Sequence, residues 1–251
     1  RDALLRMMRL GGADPAALSY AKIYICPVCQ ASQRPSHPAV ASSKVRPYGF
    51  NKIVMLDLKF LKDTKEKNHI LLSIVDSGTS YHSGCLIKNR KSGHVARKFI
   101  EVWIGHYGCP HMLVVDQGGE FRSKMFEMCE EWGLDIQIVG SHAPWQHGFC
   151  ERHGAVIGEA WMKLVYQFHI ETRKQAKLGI SVCMQAKNAI ITRNGVSAEQ
   201  AVFGCALRWP DAANKDDGDY PLAVLGKDGV AWMATQMRTA AKMAILSRDC
   251  S

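Results

Sequence analysis

Three acidic side chains stand where solvation alone would not put them. Asp57 interrupts the apolar run IVMLDLKFL, in which a carboxylate facing a core is costly without a partner. Asp116 ends the apolar stretch MLVV just before Gln117-Gly118-Gly119, which places a carboxylate at the C-terminal edge of a strand beside a turn with room for a substrate. Glu151 falls in the first turn of an amphipathic helix, after the segment APWQHGF. Taken singly, each acid is more simply a cap or turn residue; taken together, they point into one cleft. Clustered carboxylates repel unless cations neutralise them, and hard oxygen donors from separate elements suit octahedral Mg²⁺ or Mn²⁺. Two such ions about 3.5–4 Å apart activate an attacking oxygen and stabilise the leaving one in displacement at a phosphodiester.

The elements that must carry these acids are legible from periodicity. Apolar runs over Ile53–Leu61, Ile70–Val75 and Tyr81–Ile87, parted by the polar turns KDTKEKN and DSGTS, predict three sequential antiparallel strands. The spacing of Val95, Phe99, Val102, Trp103 and Tyr107 predicts a helix from Ser92 to Tyr107 that stops at Gly108-Cys109-Pro110. Met112–Val115 reads as a short buried strand, Lys124–Trp132 as a helix closed by Gly133, and Leu134–Val139 as an alternating strand. From Gly148 to His169 the residues Phe149, Val156, Ile157, Ala160, Trp161, Leu164, Val165 and Phe168 gather on one half of a helix, with Arg152, Glu159 and Lys163 opposite. Helices over Thr172–Thr192, Ala198–Phe203 and Val230–Leu246 follow the β-β-β-α-β-α-β order. Ahead of it, residues 1–30 read as a helix broken at Gly11-Gly12, a second short helix capped by Asp14 with Pro15 in its first turn, and the turn Cys26-Pro27-Val28-Cys29.

With 47% apolar and 22% charged residues, the chain is excluded from the disordered and low-complexity classes. No apolar run approaches the roughly 18–20 residues that span a bilayer, so no membrane partner is expected. Nine cysteines with only Cys26 and Cys29 closely spaced do not form a disulfide framework, and a reducing, intracellular compartment is expected. Cys85, Cys109, Cys129, Cys150, Cys183 and Cys205 read as small core residues. The net charge of +9 suggests a polyanionic partner, and it is unevenly placed: residues 1–56 carry eight basic and two acidic side chains. The Ser/Pro-rich stretch over residues 31–50 is an extended linker. Its basic residues Arg34, Lys44 and Arg46, with Lys52 just beyond, are candidates to track a phosphate backbone, as are Lys124, Arg152 and Lys163 in the core.

These residues carry a resemblance. Asp57 in MLDLKFL, Asp116 in VVDQGGEFRSKMF and Glu151 in APWQHGFCERHG resemble the Asp, Asp, Glu triad of the retroviral-type integrases encoded by LTR retrotransposons, particularly the gypsy-like class. Cys26-Pro-Val-Cys29 followed by a basic, Pro-containing linker is similar to the end of that family's zinc-binding N-terminal domain, and NAIITRNGVSAEQAVFGCALRWP to the stretch after its core. The resemblance implies an α/β, RNase H-like core, a mixed five-stranded sheet flanked by helices, with a partial helical N-terminal module and a helical C-terminal extension. The implied division is residues 1–32 for a partial zinc-binding domain, 33–50 for the linker, 51–210 for the catalytic core and 211–251 for the extension.

The implied activity is end processing and strand transfer on DNA. Asp57, Asp116 and Glu151 would hold two Mg²⁺ or Mn²⁺ ions. A homo-oligomer and a nuclear location are expected on the same basis. Cys26 and Cys29 would bind Zn²⁺ only with two histidines upstream, and the first histidine of the chain is His37. The chain then reads as a piece of a longer Pol polyprotein. Its departures are 34 residues between Asp116 and Glu151, where 35 is commoner, and Gly158-Glu159 in place of basic residues on the Glu151 helix. Asp76 reads as a turn residue; it and Glu120 are the acids to inspect for the fourth carboxylate of a ribonuclease H. A cut-and-paste transposase using the same acids, or an inactive, domesticated DNA-binding module, are the alternatives.

Overall fold

The computed structural model describes residues 11–25, 49–139, 144–190, 195–207 and 230–248, together with Leu5, Met8 and Arg9. Cys26, Cys29, Arg34, Lys44 and Arg46 lie outside the described residues, as does the segment 140–143. Helix α1 (Pro15–Ile23) starts as its sequence requires, with the Asp14 carboxylate accepting the Ala16 N–H at 2.7 Å.

Strand β1 (Ile53–Lys62) runs antiparallel to β2 (Asn68–Asp76), and β2 antiparallel to β3 (His82–Ile87). Side-chain caps close both turns. At the first, Asp63 accepts the N–H groups of Lys65 and Lys67 at 2.9 and 3.0 Å, and its other oxygen meets His69 Nε2 at 2.9 Å. At the second, Asp76 accepts the N–H groups of Asn51 and Thr79 and the Thr79 hydroxyl. Asp76 is thus spent on the turn, as its sequence context predicts. Beyond them come β4 (Met112–Asp116), parallel to β1, and β5 (Asp135–Val139), parallel to β4. Among the described residues the strands form one mixed sheet of order β3-β2-β1-β4-β5.

Alternation along the strands splits the core in two. On one face, Val54, Leu56, Leu72, Ile74, Leu113 and Val115 pack against α2, which runs from Ser92 to Phe99 and on through Ile100–Ile104 to Gly105–Tyr107, and against α3 (Lys124–Glu131). On the other, Leu61, Leu71 and Leu86 meet α4 (Pro144–Phe168), α5 (Arg173–Ala189) and α7 (Val230–Arg248); the short α6 (Ala198–Phe203) follows α5. This is the helix-flanked mixed sheet expected of an RNase H-like core, with its helical C-terminal region.

Three details differ from the sequence expectation. Helix α2 widens into a π turn over Ile100–Ile104, which keeps Trp103 buried with its indole N–H donating to the Asn51 side chain at 2.9 Å. Helix α4 begins at Pro144 rather than Gly148, with proline in the position where its missing N–H costs nothing. Cys109 and Cys205 are exposed, not core. Each directly follows a glycine at positive φ, 78° at Gly108 and 75° at Gly204, and the turn carries the thiol outward.

Candidate active site

The parallel register of β1 and β4 ends with Leu56 beside Val115, so one further step sets Asp57 beside Asp116, on neighbouring strands about 4.8 Å apart. Leu56 and Val115 both point into the α2 side of the sheet; by alternation Asp57 and Asp116 face the α4 side. Asp57 is half-buried opposite Ser73 of β2, and Asp116 is exposed at the strand's end, accepting the Gln117 N–H at 2.6 Å. Glu151 is exposed on α4, next to the buried Cys150. Burial pushes the Cys150 thiol well up, and the Asp57 and Glu151 carboxylates push it further, so both acids stand near this one sulfur. Gly119 keeps the ground beyond Asp116 open, since a Cβ there would meet nothing within 4 Å. Glu120 folds back so that its carboxylate covers Gly118, setting a second acid beside Asp116 in this loop.

A polar belt that periodicity along the chain does not reveal lies across the same face. The Ser73 hydroxyl meets His82 Nε2 at 2.8 Å, and both residues are buried. Burial, then the charges of Lys187, His153 and Lys59, hold His82 well below the usual imidazole range. The ring is therefore neutral, and His82 Nδ1 finds no hydrogen-bond partner among the described residues. The amide of Asn188 accepts the His82 N–H at 2.9 Å and donates to the His82 carbonyl at 2.8 Å, hooking α5 onto β3. Lys187 turns its ammonium to the Ser80 carbonyl at 2.7 Å, and burial lowers it to about 7. The trace of this belt in the sequence is a Lys-Asn pair at the end of an amphipathic helix.

Of the other predicted contacts, Lys52 and Arg152 are exposed, with Lys52 Nζ 3.4 Å from His111 Nε2. Lys124 pairs with Glu127 of its own helix. Lys163 Nζ donates to the Ala244 carbonyl of α7 at 3.2 Å and so ties two helices together. Among the described residues, no three of His, Cys, Asp and Glu come together closely enough to hold a metal ion. The donors nevertheless suit a hard cation: Asp57 and Asp116 are adjacent carboxylates on one face, and Glu151 is a third on the helix across from them. Also among the described residues, no helix is long and apolar enough to cross a membrane.

The mixed five-stranded sheet with its helical layers is similar in fold to retroviral integrase catalytic cores. A chain of the simian T-cell lymphotropic virus intasome, in complex with PP2A regulatory subunit B56 gamma, superposes with a TM-score of 0.56 at 18% identity, over 83% of this chain and 77% of that one. The HTLV-2 integrase catalytic core domain in complex with magnesium superposes in its trimeric form with a TM-score of 0.51 at 20% identity, over 62% of this chain and 99% of that one. Its dimeric form gives 0.50 at 21% identity, over 61% and 97%. At these identities the shared property is the fold. No protein-family model matches the chain, and no curated protein matches it.

Proposed function

We propose that the chain is an integrase-type polynucleotidyl transferase of a retrotransposon, acting on the ends of a DNA element and on target DNA. The observation that carries this reading is the side-by-side seat of Asp57 and Asp116 on adjacent parallel strands, with Glu151 on the helix facing them. Asp57, Asp116 and Glu151 would hold Mg²⁺ or Mn²⁺, which when bound activates an attacking oxygen and stabilises a leaving one. The chain's own share is positional. The sheet fixes Asp57, the strand end presents Asp116 to solvent, and Gly119 leaves room for a DNA backbone to approach both. Lys52 and Arg152, with the basic linker residues, supply phosphate contacts without base readout. The magnesium in the HTLV-2 cores and the oligomeric forms of those proteins support a metal-dependent, multimeric reading.

The test is a gel assay with Mn²⁺ and oligonucleotides that mimic element ends. Asp116→Asn and Glu151→Gln are each expected to reduce nicking and joining by at least about a hundredfold, the scale of removing one group that stabilises a transition state. Unchanged rates in either variant overturn the assignment. An unmodified protein that binds duplex DNA yet binds no Mn²⁺ by calorimetry points instead to an inactive DNA-binding module.

A further inference from the structure

Lys59 is as anomalous in its strand as Asp57. It lies two residues further along β1, hence on the same face of the sheet, in an otherwise apolar run that packs beneath α4. Helix α4 is cut away to receive it. A Cβ on Gly158 would stand 2.9 Å from Lys59 Cε and 3.3 Å from Nζ, and one on Gly154 would stand 3.6 Å from Nζ. The side chain therefore lies along a groove made by two glycines one turn apart, and two interior glycines in a helix carry a propensity cost that some gain must offset. The ends of the groove identify that gain. Gly154, against which the ammonium lies, is three residues beyond Glu151 and so on the same side of α4, and Lys59 is two residues beyond Asp57 on the same face of β1, so its charge is set between the two elements that carry these acids.

We infer that Lys59 is a positioning residue for the acids: its ammonium, seated in the Gly154/Gly158 groove of α4, is the built-in counter-charge that lets Asp57 and Glu151 face each other with no cation bound. Two carboxylates brought toward one point destabilise the fold unless positive charge is near. A lysine fixed between the strand and the helix lowers that repulsion through space, and the same fixed charge moderates how tightly a divalent cation is held there. This rests on the proposed role of the acids only for the second consequence; the first concerns folding without metal.

The test separates the two. In EDTA at low salt, thermal melts of Lys59→Met, Asp57→Asn and the double variant close a cycle. Lys59→Met is expected to lower Tm by several degrees, and by much less when Asp57 is already Asn. Equal losses in the two backgrounds overturn the inference. Calorimetry with Mn²⁺ alone then reads the second consequence: Lys59→Met should bind the ion roughly three- to tenfold more tightly than the unmodified protein. Gly158→Ala, which displaces the lysine without removing charge and raises helix propensity, should change affinity in the same direction. If Asp57→Asn leaves Mn²⁺ binding unchanged, the metal reading fails while the EDTA cycle still decides the role of Lys59. If the cycle shows no coupling and Lys59→Met instead weakens duplex binding with a shallower salt dependence, Lys59 is a phosphate contact and the inference falls.

Discussion

Lys187 shows at the scale of one residue what the interlayer asks of a charge. Its ammonium has one described hydrogen-bond acceptor, the Ser80 carbonyl, and burial holds it at about 7 against an ordinary value of 10.5. The unfolded chain therefore binds a proton that the folded chain releases between pH 7 and 10.5, and this group makes stability rise with pH across that window. Below pH 7 both states are protonated and the full cost of burying the ammonium is present. Lys187→Met is expected to raise Tm by roughly 3–6 °C at about pH 6 and to lose most of that gain by about pH 10, where the unmodified side chain is neutral in the fold. Melting curves of the two proteins over that range check the sign, and a gain that does not change with pH rules out the buried charge. Lys59 differs in having the Asp57 and Glu151 charges for company, so its removal acts in the opposite direction.

At the scale of elements, the acids are placed by pairings far apart in sequence. Asn188 reaches across 106 residues to satisfy both the N–H and the carbonyl of His82, doing for the outer edge of β3, the last strand of the sheet, what another strand would do. Asn188→Ala leaves both backbone groups buried and unmet, at a cost of about 2–4 kcal/mol. Urea unfolding should show a lower midpoint with an unchanged slope. Gly84 marks the same close approach, since a Cβ there would stand 2.1 Å from the Leu72 carbonyl oxygen and 2.8 Å from Met184 Cε.

The same distinction between local and long-range placement explains what is readable in advance. The strands and helices, the Asp14 cap and the Asp76 turn follow from local period and local chemistry, so the sequence shows them directly. The groove under Lys59, the Asn188 hook and the π turn in α2 arise from packing between elements and leave only an out-of-place polar residue as their trace. Cys109 and Cys205 read as core on apolar character alone, and it is the helix-ending glycines before them that turn both thiols out to solvent.

For the whole molecule, the question is where +9 of net charge is placed relative to a fold that holds carboxylates at its centre. Among the described residues, neither of the two large buried clusters draws on anything before Phe50, whereas residues 1–56 contribute eight basic and two acidic side chains. The basic residues before Phe50 are thus outside both buried clusters, and their charge should be separable from the core by substitution. Replacing Arg34, Lys44, Arg46 and Lys52 together by Gln is expected to leave Tm nearly unchanged while weakening non-specific duplex binding. The plot of log K against log salt should become shallower by up to about 3–4 units, close to one for each phosphate no longer neutralised. Lys163→Gln is the contrasting case: its ammonium joins α4 to α7 through the Ala244 carbonyl, so Tm should fall while the salt slope stays where it was. Fluorescence anisotropy with a labelled duplex at several salt concentrations, beside thermal melts of the same samples, distinguishes the two. A quadruple variant that keeps the full slope would move the DNA-facing charge off the N-terminal stretch and onto the core, where Arg152 beside Glu151 is the first residue to substitute.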